Sequence, residues 1–148
     1  MPPATRARAQ AVDAGWVIDA SVTMPWFFPD EASAFTERLL DQLGEQPIWA
    51  PALWVLECTN VLQHAQRGGL IAAARRVEIA SELSALPVRI DTEHLDFVEL
   101  DRLASAHGLS AYDAAYLELA LRKSLTLVSL DQRLLAAAHS LGHPSLNA

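Results

Sequence analysis

Residues 125–131, LTLVSLD, are an apolar run that ends on a carboxylate, and QRLLAAAHSL (132–141) follows at once. The run reads as a strand from Leu125 to Leu130, and the stretch after it as a helix ending near Gly142. A strand that is apolar at nearly every position, rather than at every second one, is covered on both faces. The same grammar occurs near the start of the chain. There Trp16-Val17-Ile18 is a short apolar strand, closed by Asp19 and followed by the small residues Ala20 and Ser21. PIWAP supplies another strand around Ile48 to Ala50, and VRID (88–91) a third.

Helical patterns fill the spaces between these strands. Ser21 to Phe28 reads as a short apolar helix stopped by Pro29, and Ala34 to Leu43 carries a 3.6-residue stripe. A helix beginning at Pro51 runs to about Gln66 and stops at Gly68-Gly69. Leu70–Leu86, Thr92–His107 and Ser110–Lys123 are three more, and PSLN (144–147) is a candidate edge strand. Strands alternating with helices predict an α/β fold, with a mainly parallel central sheet flanked by helices. In such sheets ligands bind beyond the carboxyl ends of the strands. Asp19 and Asp131 both fall there.

With 148 residues, the chain fits one domain able to bury its own core. Residues 15–148 form that domain, and residues 1–14, rich in Ala, Pro and Arg, read as a flexible leader. The single cysteine, Cys58, forms no internal disulfide and reads as a small buried hydrophobe in a reducing compartment. No apolar run reaches the roughly 18 residues of a membrane span, so the expected location is cytoplasmic, with no membrane partner. A net charge of −7 excludes a general polyanion binder. It leaves room for acids gathered at one metal site and a local arginine rim around it. Ten of the eleven basic residues are arginine, whose forked guanidinium grips phosphate.

Taken singly, the acids have ordinary explanations. Asp19 and Asp131 can cap the helices that follow them, and Asp113 lies three residues after Ser110, in a capping-box position. Glu57 is harder to dismiss. Leu53, Trp54, Val55, Leu56, Val61 and Leu62 surround it, which predicts a largely buried helix and a carboxylate in need of a cation. Asn60, one turn on, is placed to orient it. Four acids from separate segments share one explanation if they converge on a divalent cation. Mg2+ or Mn2+ favours such oxygen ligands and takes phosphate oxygens beside them.

Four stretches, VIDASV, PALWVLECTNVL, LSAYDAAYLELALR and LTLVSLDQRLLAAA, together resemble in order and spacing the acidic motifs of PIN-domain ribonucleases, above all the VapC-type toxins of toxin–antitoxin pairs. The resemblance spans roughly residues 16–142. It implies a PIN-like three-layer sandwich and a divalent-metal-dependent endoribonuclease using Mg2+ or Mn2+. It assigns Asp19, Glu57, Asp113 and Asp131 as catalytic and metal-binding residues, with Ser21, Asn60 and Ser129 as accessory polar positions. It also implies an RNA substrate, a cognate antitoxin and a homodimer. Trp26, Phe27 and Phe28 cannot all face one way, and the exposed part of this cluster is the expected antitoxin contact. Arg67, Arg75, Arg76 and Arg133 are candidate RNA contacts.

Two other readings compete. Asp19-Ala-Ser-Val-Thr23 distantly resembles the nucleophile loop of haloacid-dehalogenase-like phosphatases, although Ser21 stands where that family has its second acid. A non-catalytic PIN-like binding module is the other, and it predicts tolerance to loss of any one acid.

Overall fold

A computed structural model describes residues 15–148; the expected leader, residues 1–14, lies outside the described residues. Five strands, β1 (Trp16–Ile18), β2 (Ile48–Pro51), β3 (Val88–Asp91), β4 (Thr126–Val128) and β5 (Ser145–Leu146), form one sheet in the order β3-β2-β1-β4-β5. Every neighbouring pair is parallel. The α/β class and the parallel sheet are as the apolar strand runs predict, and PSLN does supply the edge strand.

Among the described residues seven α-helices flank the sheet: α1 (Ala20–Thr23), α2 (Ala34–Asp41), α3 (Leu53–Arg67), α4 (Ala73–Ala85), α5 (Phe97–His107), α6 (Ala111–Lys123) and α7 (Gln132–Ser140). Helix α6 packs on β1, β2 and β4. It buries Ala114, Ala115, Tyr116, Leu117, Leu119 and Ala120, which extend around most of its circumference. The core joins these residues to Val17, Ile18, Ile48, Leu127, Val128 and Leu134.

Several boundaries differ from the pattern-based expectation. The segment 21–28 divides into α1 and a 3-10 turn at Met24–Trp26, because Pro25 lacks the N–H that would continue the α-helical ladder. The helix expected from Thr92 starts at Phe97. Asp96 is its cap, its carboxylate accepting from Glu99 N at 3.2 Å, so residues 92–96 are a connection. Pro51 ends β2 instead of opening α3. Helix α3 is also less buried than its composition suggests. Trp54, Cys58 and Leu62 face the core, while Val55, Leu56 and Val61 are exposed.

Strand order creates the site. The chain lays β1, β2 and β3 side by side, then crosses over to place β4 and β5 on the other flank of β1. This reversal opens a crevice at the carboxyl ends of β1 and β4. Gly15 sets the seam on the opposite side, at the start of β1. Trp16 N bonds Pro47 O at 2.9 Å and Thr126 N bonds Gly15 O at 3.0 Å, which registers β1 against both neighbours.

Candidate active site

Asp19 leaves β1 at the crevice and is 7% exposed. Its backbone and side chain begin α1, with Oδ1 accepting from Val22 N at 3.3 Å. Capping is thus part of its role, as elementary helix chemistry predicts. Two serine hydroxyls do more. Ser21 Oγ donates to Oδ1 at 2.6 Å, and Ser129 Oγ donates to Oδ2 at 2.5 Å from the end of β4.

The direction of these bonds is set by the backbone. Leu130 N donates to Ser21 Oγ at 2.8 Å, and Asp131 N donates to Ser129 Oγ at 2.9 Å. Each hydroxyl therefore accepts from the β4–α7 turn and donates a hydrogen bond to Asp19. Both carboxylate oxygens are presented with donors, an arrangement that favours the ionised form. Burial opposes it and prevails: desolvation raises the Asp19 pKa, the serine bonds and Val22 N pull it down, and the charge of Asp131 raises it.

Asp131 follows at the start of α7, half-buried, with Oδ1 accepting from Leu134 N at 3.0 Å. It is a helix cap and an acid of the crevice at once. Asp113 enters from the first turn of α6, where Ser110 Oγ accepts its backbone N–H at 3.1 Å. Its pKa is raised by burial first and by the Asp131 charge second, with Ser110 and Arg133 pulling the other way. The charge of Asp131 thus acts on both Asp19 and Asp113.

Glu57 approaches from α3. The hydrogen bond it accepts comes from Tyr116 Oη, at 2.6 Å from Oε1. Tyr116 is 1% exposed, and its phenol is held far above its ordinary pKa by burial, by this bond, and by the charges of Glu57 and Asp19. Glu57 and Asp19 also both act on Cys58, whose thiol burial pushes up to about 12. The two acids therefore border the same buried pair of side chains. Asn60, expected to orient Glu57, is exposed, and no hydrogen bond joins it to Glu57 among the described residues. Tyr116 holds that place instead. It lies in the same DAAY segment as Asp113, but an aromatic on a buried helix reads as core until the tertiary contact is known.

A second missed support runs through α3. Trp54 Nε1 donates to Thr23 Oγ1 at 3.1 Å, and Thr23 Oγ1 donates to Asp19 O at 2.7 Å, tying the β1–α1 turn to the helix that carries Glu57. By contrast Asp91, a buried acid at the end of β3, pairs with Arg122 at 2.7 Å. That acid is neutralised and serves as a brace.

Among the described residues, no three His, Cys, Asp or Glu side chains are grouped closely enough to enclose one ion by themselves. The four expected acids supply no such group; they are at most a looser set. Its chemistry fits a hard divalent cation all the same: the donors are oxygens only, and they repel one another. A cation such as Mg2+ keeps several waters and takes only one or two carboxylates directly.

The family model for the PIN domain matches residues 16–140. The chain is 33% identical over 122 residues to Ribonuclease VapC3 of Pyrobaculum aerophilum, covering 80% of this chain and 90% of that one. Among solved structures it resembles PAE2754 from Pyrobaculum aerophilum, with a TM-score of 0.65 at 22% identity over 93% of this chain and 91% of that one. It also resembles FitAcB from Neisseria gonorrhoeae, with a TM-score of 0.65 at 17% identity over 89% and 96% of the respective chains. At such identities the structural likeness speaks for the fold.

Proposed function

This chain belongs to the PIN-domain family, and we propose that it is a divalent-metal-dependent endoribonuclease acting as the toxin of a toxin–antitoxin pair. The observation that carries the reading is the clamp on Asp19. Two serines, one from each side of the β1–β4 crevice, hold a buried carboxylate in place beside Asp131. A residue needed only to cap a four-residue helix has no use for a second donor from another strand. The name of the similar archaeal ribonuclease supports the same reading.

In this reading Asp19, Asp113 and Asp131 would hold Mg2+ or Mn2+, with Glu57 bordering the cleft from α3. When bound, the ion supplies Lewis acidity toward the phosphodiester and lowers the pKa of an attacking water. The chain's own part is positional. Ser21 and Ser129 fix Asp19, Tyr116 fixes Glu57, and the Trp54–Thr23 link fixes the turn between them. Preorganisation of this kind removes the reorganisation that flexible acids would need at the moment of reaction.

The exposed apolar surface supports a wider antitoxin contact than the expected aromatic cluster. Phe28 is buried, and Trp26 and Phe27 are half-buried, so that cluster alone offers a small patch. Exposed Val55, Leu56 and Val61 on α3, with Leu70 and Val77 beyond it, extend the apolar surface. An antitoxin segment would pack apolar side chains there and send an Arg or Lys toward the acids. No described helix is long and apolar enough to cross a membrane, and a toxin acting on RNA would work in the cytoplasm.

The deciding experiment is incubation with labelled single-stranded RNA, with and without Mn2+, beside Asp19→Asn. Mn2+-dependent cleavage that Asp19→Asn abolishes is the expected result. Phosphate release from a small monoester without RNA cleavage would overturn the reading in favour of a phosphatase. RNA binding without cleavage would overturn it in favour of a binding module.

A further inference from the structure

The crevice is acidic, and its substrate would be a polyanion, so something beside it has to receive phosphate. Most described cations are committed elsewhere. Arg75 pairs with Glu78 and Glu82, Arg102 with Glu99, and Arg122 with Asp91, Glu93 and Glu118. Lys123 pairs with Glu93 and lies 4.5 Å from the Trp49 ring centroid, and Arg89 lies 5.8 Å from the same ring. Arg133, like Arg38, Arg67, Arg76 and Arg89, is in no ion pair among the described residues, and of these it is the one whose charge bears on Asp113.

Arg133 lines an open pocket of about 370 Å³ between the end of α5 and the outer face of α7, together with His107 and Ser140. Ser140 Oγ donates to Ala137 O at 2.9 Å and lies 3.4 Å from His107 Nδ1. The guanidinium fork of Arg133 is a donor suited to phosphate oxygens. The pocket begins two residues after Asp131, on the same helix.

Resting on the ribonuclease reading, we infer that Arg133 forms a subsite for an RNA backbone phosphate neighbouring the one at the carboxylates. The subsite sets where the strand lies relative to Asp113 and Asp131. Arg133 is a positioning residue, and its contribution falls on substrate binding.

The test is steady-state cleavage of a fluorescein-labelled single-stranded RNA in Mn2+, across a salt series, by wild type, Arg133→Gln and Arg133→Lys. Arg102→Gln, which disrupts an exposed pair elsewhere, is the control. Loss of one phosphate contact should raise KM about ten-fold and make the salt dependence of log KM shallower by about 0.7. The loss should fall on KM more than on kcat. Arg133→Lys should restore the salt slope, because it keeps the charge, while recovering only part of the affinity, because it lacks the fork. A wild type that cleaves RNA, with KM and salt slope unmoved by Arg133→Gln, overturns the subsite and leaves the nuclease standing. A wild type that neither cleaves nor binds RNA overturns both.

Discussion

Ser129 and Asp19, 110 positions apart in the chain, meet across the β1–β4 seam, with Ser129 Oγ donating to Asp19 Oδ2 at 2.5 Å. Ser129 is 0% exposed, and its own acceptor site is filled by Asp131 N at 2.9 Å. One hydroxyl therefore joins two acids of the crevice, one through its side chain and the other through its backbone. Replacing Ser129 with Ala removes the donor and leaves both Asp19 Oδ2 and Asp131 N without that partner. Hydrogen bonds to charged groups contribute about 1.5–3 kcal/mol, so Mn2+-dependent RNA cleavage should fall by roughly ten-fold or more. Cleavage at the wild-type rate by Ser129→Ala would show that the clamp is dispensable.

Asp19 and Asp113 both have raised pKa values in the fold, with burial as the first cause and Asp131 as a contributor. A carboxyl raised in the folded state binds its proton more tightly there than in the unfolded chain. Its contribution to stability is complete below the ordinary value of 3.8 and is lost as pH rises through the folded value. The metal-free protein should therefore lose stability as pH climbs above 3.8. Asp19→Asn should flatten part of that decline, and Mn2+ should offset it near neutrality by binding the folded state alone. Urea melts of both proteins at several pH values, with and without Mn2+, measure this. Parallel pH curves for the two proteins would contradict it.

Tyr116→Phe should separate support from packing. The ring is retained, so the core stays filled, but Glu57 loses the donor at 2.6 Å. Stability should fall by about 1–2 kcal/mol. Cleavage should fall further than the change in folded fraction accounts for, because Glu57 is then free to rotate. Equal stability of the two proteins in urea would show that Glu57 finds another partner at no cost.

Gly15→Ala tests the seam itself. Gly15 has φ +104°, and a Cβ there would stand 2.2 Å from Pro47 O, which is backbone and cannot turn aside. Strain and clash together should destabilise the protein by at least about 2 kcal/mol, seen as a lower urea midpoint. A midpoint within error of wild type would mean that the start of β1 can shift without disturbing its neighbours.

Much of this architecture is written locally. The apolar run at 125–130, the closing carboxylates at 19 and 131 and the stops at Gly68 and Gly142 reveal strands, helices and a doubly covered sheet, because backbone propensity and burial period act over a few residues. Where local rules conflicted, the outcome was tertiary. Proline at 25 divided a helix that its apolar composition favoured, and α3 left Val55, Leu56 and Val61 in solvent although its apolar residues surround the helix.

The candidate site divides in the same way. Asp19, Asp131 and Ser110 are legible as caps from their neighbours alone, and they are caps. That Asp19 also accepts a hydrogen bond from Ser129, that Glu57 rests on Tyr116 and not Asn60, and that Asp131 presses on Asp113 are consequences of strand order. Placing β4 beside β1 sets residues more than a hundred positions apart within hydrogen-bond reach. No property of either segment alone specifies that contact, because a hydrogen bond or a Coulomb repulsion depends on separation in space, and only the closed sheet sets it.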